Sequence, residues 1–217
     1  MDTIATRLKA LKTLAHAAPH VATDNWAGTP HAQFERWLDE AVSAGALEPQ
    51  VTTLSTVHPD GRPDARSVVL LNVDARGWHF AANACSPKGR QLANRPFAAL
   101  TFYWPVIASQ IRLSGPVERL PAAEGHADFA GRPERSRASI LAGRQSERLD
   151  DPADLTRAID AQLERLAADP ALVSEDWHLY ALAPDEVEFW RADSSRRFAR
   201  QAYRRAGARW ERCALWP

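Results

Sequence analysis

The segment from residue 188 to residue 201 reads E-F-W-R-A-D-S-S-R-R-F-A-R-Q and combines aromatic rings with a cluster of positive charges. Phe189 and Trp190 are followed by four guanidinium groups, those of Arg191, Arg196, Arg197 and Arg200. Guanidinium groups bind phosphate and carboxylate through parallel hydrogen bonds, and aromatic faces pack against flat rings. The segment therefore predicts a site for a flat, anionic molecule. The alternative is that Arg191, Arg196 and Arg197 pair with nearby acids such as Glu188 and Asp193 and contribute little beyond solubility.

A second set of polar residues lies at the ends of predicted strands and helices: Arg66, Ser86, Lys88, Gln110, Gln145 and Ser146. Ser86 and Lys88 stand at the start of a short predicted helix, where free backbone N–H groups favour anions. Cationic side chains suit a phosphate, and a Gln amide suits the donor and acceptor edge of a heterocycle. Residue types alone leave open whether these groups converge. Arg66 and Lys88 could equally be solvated surface charges, and Trp190 could be a core residue.

Several classes of function are disfavoured by composition and by missing motifs. The 217 residues have a formal net charge of +0, which gives no global positive field for nucleic acid. The sequence has no apolar run of membrane-spanning length and no apolar signal-peptide core, so we expect a cytoplasmic protein with Cys85 and Cys213 reduced. It has no nucleotide-binding glycine loop, no serine-hydrolase elbow and no histidine pair at metal spacing. We therefore expect no metal site, no nucleic acid and no membrane partner.

The spacing of apolar residues, which indicates the helices and strands that position these side chains, changes along the chain. Apolar residues recur at helical spacing over residues 3–17, from about residue 30 to residue 45, and within residues 121–169. Between residues 51 and 120, β-branched runs separated by turns predict five antiparallel strands, with one short helix at 86–94 capped by Ser86. Residues 177–214 predict four more strands. The pattern predicts a mostly β protein, a small barrel with inserted and appended helices.

With these elements placed, the chain resembles the pyridoxamine 5′-phosphate oxidase family, the FMN-dependent enzymes that make pyridoxal 5′-phosphate. The similarity runs from about Phe34 to Pro217 and keeps the family's order and spacing. The segments that carry it are F-E-R-W-L-D-E-A, D-G-R-P-D-A-R-S-V-V-L-L, S-P-K-G-R-Q-L-A-N-R-P-F-A-A-L-T-F-Y-W, S-Q-I-R-L-S-G-P-V-E-R-L, R-P-E-R-S, R-Q-S-E-R-L and E-F-W…R-R-F-A-R. The resemblance implies a split β-barrel homodimer with FMN at the subunit interface. Residues 1–30 would form an N-terminal helix and loop, and residues 31–217 the FMN-binding split-barrel domain.

On the cofactor side, the resemblance implies seven FMN-binding residues, all of the family's types: Arg66, Lys88, Gln110, Gln145, Ser146, Trp190 and Arg200. The two cations would hold the phosphate, and the glutamines and Ser146 would address the ring and the ribityl chain. Two departures stand beside them. Ala81-Ala82 replaces an aromatic–hydroxyl pair, and Pro87 replaces an arginine. We expect some FMN contacts to be lost or rearranged.

On the substrate side, three of the family's six substrate residues are kept, and three have changed. Arg132, Ser136 and Arg196 match the family's types. Asn72 stands where the family has Lys, Asp128 where it has Tyr, and Phe198 where it has His. Two of these changes remove phosphate partners, and Asp128 adds a negative charge. We expect a flatter, more hydrophobic substrate site, with Arg196 as the residue that orients the substrate for catalysis.

The resemblance implies an FMN-dependent oxidase of the pyridoxamine/pyridoxine 5′-phosphate type, which passes a hydride to flavin and electrons to oxygen. One alternative is an oxidase of a reduced aromatic secondary metabolite, such as a dihydrophenazine. Another is a flavin-binding protein without oxidase turnover. In the oxidase readings the partners are a small aromatic substrate and oxygen, and the protein acts as a homodimer.

Overall fold

The computed structural model describes residues 3–14, 25–194 and 198–216. Within these ranges the chain forms nine β-strands and six α-helices. The strands are β1 (Val51–Val57), β2 (Pro63–Asp74), β3 (Gly77–Asn83), β4 (Phe97–Trp104), β5 (Ser109–Arg119), β6 (Trp177–Leu182), β7 (Glu186–Ala192), β8 (Phe198–Ala206) and β9 (Arg209–Ala214). The helices are α1 (Ile4–Ala10), α2 (Pro30–Ser43), α3 (Pro87–Asn94), α4 (Ala122–Ala130), α5 (Glu134–Ala142) and α6 (Pro152–Ala168). The prediction of a mostly β protein with appended helices is confirmed.

The predicted element boundaries agree with the structure except near the N-terminus. The helix predicted over residues 3–17 is shorter, because α1 ends at Ala10, and residues 15–17 lie outside the described part. Its apolar residues Ile4, Leu8 and Leu11 are exposed, so they do not anchor it to a core. The predicted division between residues 30 and 31 stays a prediction.

The chain divides into two compact units. The first comprises Met1–Thr52, Leu100–Leu113 and Pro184–Pro217, and the second comprises Thr53–Ala99 and Ser114–Ala183. In the first unit β7, β8 and β9 form an antiparallel meander. Its core is aromatic: the ring of Phe189 packs edge-on against Trp37 at 5.2 Å and against Tyr203 at 5.5 Å. Such edge-to-face pairs add to the stability that burial provides.

In the second unit, β2 pairs antiparallel with β3, β3 with β6, and β6 with the second part of β5. The register places Phe80 opposite Tyr180, and their rings stack at 5.6 Å. The β2–β3 register shifts between Leu70 and Asn72, which is typical of a β-bulge. Helices α4, α5 and α6 also belong to this unit.

Helix α3 begins where the sequence predicts it to begin. The Ser86 hydroxyl accepts a hydrogen bond from the backbone N–H of Gly89 at 3.2 Å, and Pro87 occupies the first turn. Gly89 is required by close packing, because a Cβ there would lie 2.4 Å from the carbonyl oxygen of Asn83. This tight contact between the helix and the end of β3 fixes the position from which Lys88 projects.

Candidate active site

The second unit contains a cavity of about 520 Å3, a volume in the range of small-molecule sites. Its walls come from residues 64–69 of β2, from β3, from the start of α3, from the ends of the α4–α5 region and from the start of β6. Five residues predicted from the sequence line it: Arg66, Lys88, Arg132, Gln145 and Ser146. Chain positions as far apart as 66 and 146 therefore meet in one cavity.

Arg66 is held at the cavity wall by a partly buried polar network. Its Nη1 donates to the carbonyl oxygen of Leu54 at 3.2 Å and to the hydroxyl of Thr56 at 2.5 Å. Its Nη2 lies 2.5 Å from Oδ2 of Asp64, and Gln91 donates to the same carboxylate oxygen at 3.0 Å. The hydrogen bond from Gln91 lowers the pKa of Asp64, and the charge of Arg66 adds to this effect against the opposing effect of burial. The guanidinium group is therefore fixed before any ligand binds.

Lys88, another cation of the cavity wall, contacts a neutral side chain. Its Nζ donates to Oε1 of Gln145 at 3.1 Å. Among the described residues no carboxylate forms an ion pair with it. Burial, and then the neighbouring charge of Arg66, lower the pKa of the Lys88 ammonium. A cation that is partly desolvated and faces another cation gains stability from a bound anion.

Gln145 and Ser146 lie in the turn that follows α5. That helix ends at Gly143, which has a φ of +70° and forms a left-handed C-terminal cap. Ser146 also has a positive φ, +71°, which is uncommon for a residue with a side chain and is found mostly where function or packing requires it. The turn places the Gln145 amide beside Lys88.

Arg132, at another part of the cavity wall, belongs to a cluster with Asp128 and Trp177. Oδ2 of Asp128 accepts from Nε of Arg132 at 2.8 Å and from the indole N–H of Trp177 at 2.7 Å. Oδ1 of Asp128 accepts from Nη2 of Arg132 at 3.3 Å. The guanidinium of Arg132 lies over the Trp177 ring, 4.7 Å from its centroid. The side chain of Asp128 is 19% exposed, so this ion pair is largely shielded from water.

The other predicted substrate residues of the second unit lie elsewhere. Asn72 is exposed, donates to Asp74 at 3.3 Å and is not among the cavity-lining residues. Ser136, half-buried in α5, is not among them either. Arg196, predicted as the catalytic residue, and its neighbour Arg197 lie outside the described residues.

The remaining predicted residues belong to the first unit. Trp190 and Arg200 are partners across the β7–β8 pair, and the Phe198 ring lies 5.2 Å from that of Trp190. Arg200 donates to Oε1 of the buried Glu188 from Nε at 2.9 Å and from Nη2 at 2.7 Å. Gln110 is half-buried on β5. Arg191, one of the three arginines for which the sequence raised pairing with a nearby acid, has its Nη2 2.8 Å from Oε2 of Glu40, which is distant in sequence.

Sequence reasoning missed three residues of the cavity region. Asp64 lies two positions before Arg66, and this strand spacing on one face could have indicated the contact. Gln91 and Trp177 carry no local signal, because their contacts join segments that are distant in sequence. Two residues that depart from the family pattern, Ala81 and Pro87, also line the cavity.

The donor set of the cavity fits a phosphate-bearing aromatic cofactor. Arg66 and Lys88 present two cations from neighbouring elements, and Val68, Val69 and Ala81 add apolar wall. Among the described residues no group of three or more His, Cys, Asp or Glu side chains is placed to hold a metal ion. In the same residues no helix is both long enough and apolar enough to cross a bilayer.

Comparison with known proteins agrees with this geometry. The family model described as pyridoxamine 5′-phosphate oxidase matches residues 38–191, and the model of the pyridoxine 5′-phosphate oxidase C-terminal dimerisation region matches residues 177–217. A pyridoxine/pyridoxamine 5′-phosphate oxidase of Burkholderia multivorans is 44% identical over 179 residues, 82% of this chain and 83% of that protein.

Two solved structures share the fold. PhzG from Burkholderia lata, solved in complex with tetrahydrophenazine-1-carboxylic acid, has a TM-score of 0.85 and 31% identity, covering 93% of this chain and 100% of PhzG. An FMN-binding protein from Nostoc punctiforme has a TM-score of 0.69 at 18% identity, covering 88% of this chain and all of that one, and shows the fold alone. The fold is therefore that of the split β-barrel oxidoreductases. The chain belongs to the pyridoxamine 5′-phosphate oxidase family and carries its C-terminal dimerisation region.

Proposed function

We propose that this protein is an FMN-dependent oxidase that takes a hydride from a carbon–hydrogen bond of a small aromatic substrate and delivers the electrons to oxygen. The observation that carries the proposal is the pair of fixed cations, Arg66 and Lys88, in a cavity of suitable volume in a chain of this family. FMN, when bound, supplies the hydride acceptor, and the protein contributes binding, orientation and electrostatics.

The contacts of the cavity residues support the following roles. Arg66 and Lys88 bind the cofactor phosphate, and the network of Thr56, Asp64 and Gln91 keeps Arg66 in place. Gln145, held beside Lys88, presents its amide to the ribityl chain or ring, and Ser146 assists it. Ala81, from the pair that replaces an aromatic–hydroxyl pair of the family, and Pro87, which replaces an arginine, offer apolar wall, so some of the family's FMN contacts are lost or rearranged here.

Three cofactor residues of the first unit, Gln110, Trp190 and Arg200, keep the roles that the resemblance implies for them. The match of residues 177–217 to a dimerisation region supports a homodimer as the working form. Glu188 orients Arg200 through two hydrogen bonds and so preorganises its guanidinium group.

Two substrates are candidates, and a separate observation favours each. Pyridoxine 5′-phosphate is favoured by the curated relatives, which carry it in their names at 40–44% identity. A reduced tricyclic aromatic compound without a phosphate is favoured by the pairing of Arg132 with Asp128, and PhzG was solved with such a molecule.

The test is an anaerobic titration of the FMN-loaded protein with pyridoxine 5′-phosphate, followed by flavin absorbance. Bleaching that air reverses supports a vitamin B6 phosphate oxidase. A flavin that stays oxidised directs the same titration to a dihydrophenazine carboxylic acid. Bleaching by neither compound supports the alternative of a flavin-binding protein without turnover. A purified protein that takes up no FMN contradicts the proposal.

A further inference from the structure

The positive charge that faces the cavity can accommodate one phosphate group and not two. Three cations line it: Arg66, Lys88 and Arg132. Arg66 contacts Asp64, and Arg132 contacts Asp128. Within the described residues, Lys88 alone of the three has no carboxylate partner. A phosphate monoester carries a charge of about −1.5 to −2 at neutral pH, so a single phosphate already exceeds the unpaired positive charge.

Both the geometry and the charge around Arg132 disfavour an anion there. Asp128 occupies Nε and Nη2 of Arg132, which form one of the two edges on which a guanidinium group can make two parallel hydrogen bonds to a phosphate. An anion at the free edge would lie within a few ångströms of the Asp128 carboxylate, and like charges at that distance repel strongly in a shielded site.

The same carboxylate builds a surface for an uncharged ring. Asp128 accepts from the Trp177 indole and from Arg132, whose guanidinium lies over that ring, so the three side chains form one connected cluster. Trp177 lines the cavity. Val68, Val69 and Ala81 also line the cavity, which therefore offers aromatic and aliphatic contacts in addition to its cations.

We propose that Asp128 is a specificity-determining residue that excludes phosphorylated substrates, so that the oxidase acts on an aromatic ring without a phosphate group. This inference rests on the proposed function, because the proposed function places the FMN phosphate at Arg66 and Lys88. It selects the second of the two substrate candidates.

The experiment compares the binding of pyridoxine and pyridoxine 5′-phosphate to the FMN-loaded protein under anaerobic conditions, by calorimetry. We expect the wild-type protein to bind the phosphorylated compound no more tightly than the unphosphorylated one. In Asp128→Asn we expect the affinity for pyridoxine 5′-phosphate to rise about tenfold, since Arg132 can then donate a charge-assisted hydrogen bond to the phosphate without repulsion from Asp128. The affinity for pyridoxine should change by less than about threefold.

Glu124→Gln is the matched control, because it removes one negative charge from the same helix at a residue that pairs with Arg76 and does not line the cavity. It should leave both affinities unchanged. Asp128→Ser repeats the test with a smaller side chain in case the Asn variant does not fold, and the wild-type ratio needs no variant at all.

Two results would overturn the role of Asp128 while leaving the oxidase proposal intact. One is a wild-type protein that binds pyridoxine 5′-phosphate at least about tenfold more tightly than pyridoxine. The other is an Asp128→Asn or Asp128→Ser protein with an unchanged ratio. Failure to bind FMN, read from absorbance before any titration, would instead overturn both proposals.

Discussion

The cavity of the second unit has two arginines in its wall, each paired with an aspartate, and the two pairs differ in the charge around them. Arg66 lies 2.5 Å from Asp64, and Arg132 lies 2.8 Å from Asp128. The first pair has the cation Lys88 as a neighbour, and Arg66 contributes to lowering the pKa of Lys88. The second pair has the uncharged Trp177 ring as its neighbour. An arginine in a cavity therefore indicates an anion site only where its surroundings leave positive charge unbalanced.

The largest expected effect comes from removing that unbalanced charge. We expect Lys88→Met to weaken FMN binding about 10- to 100-fold, because a hydrogen bond to a charged group contributes about 1.5–3 kcal/mol. Methionine keeps the length and the apolar part of the side chain. The measurement is the dissociation constant of FMN from flavin fluorescence, with Lys88→Arg as the control that retains the charge.

The pH dependence of FMN binding gives a second readout of Lys88. Burial and the nearby Arg66 lower the pKa of this ammonium below its ordinary value of 10.5, so in the free protein it loses its charge earlier as the pH rises. FMN affinity should fall on the alkaline side in the wild type, and less steeply in Lys88→Arg. If the wild type and Lys88→Met bind FMN with equal affinity, the unbalanced charge beside the Arg66–Asp64 pair does not explain phosphate binding there.

A smaller effect, of opposite sign, is expected at Asp64. Asp64→Asn removes the negative charge beside Arg66, whose Nη1 keeps its hydrogen bonds to Leu54 and Thr56. FMN should bind about threefold more tightly, which corresponds to a fraction of the free energy of one charged hydrogen bond. Asp60→Asn, at an exposed carboxylate in the turn before β2, is the control for net charge. Weaker FMN binding in Asp64→Asn would mean that this carboxylate orients Arg66 more than it opposes the phosphate.

Local signals in the sequence predict much of the fold because they act over a few residues. Ser86 and Pro87 mark the start of α3 through an N-cap and a fixed φ, and the strand from Val51 to Val57 follows from its β-branched residues. Helix α6 was predicted from its apolar face, yet Leu155 on that face is 49% exposed. Periodicity predicts a helix well and the burial of its apolar face less well.

The site was predicted less completely, because part of its hydrogen-bond network joins distant segments. Residue types indicated Arg66, Lys88 and Gln145, but the contact of Asp128 with Trp177 joins positions 49 residues apart. The i,i+4 spacing of Asp128 and Arg132, in a segment predicted to be helical, could have indicated their ion pair but not that Trp177 joins it. An ion pair is a property of the fold, and the spacing of its members does not indicate it unless they share one strand or helix.

The smallest expected effect on the flavin comes from the other end of β2, where Asp74 lies away from the cavity lining. Burial acts to raise the pKa of Asp74, but hydrogen bonds from the side chain and backbone of Arg76, together with the charge of the buried His79, lower it to about 2 from 3.8. A lowered pKa in the folded state means that the ionised form stabilises the fold above about pH 4, and that this contribution is lost as the pH falls towards 2. Asp74→Asn should therefore lower the urea midpoint at pH 5, lower it less at pH 3, and leave FMN affinity at neutral pH unchanged. An equal loss of the urea midpoint at both pH values would contradict the pKa shift. Weaker FMN binding in Asp74→Asn would show that charges along the whole of β2, and not only those near Arg66, affect the flavin.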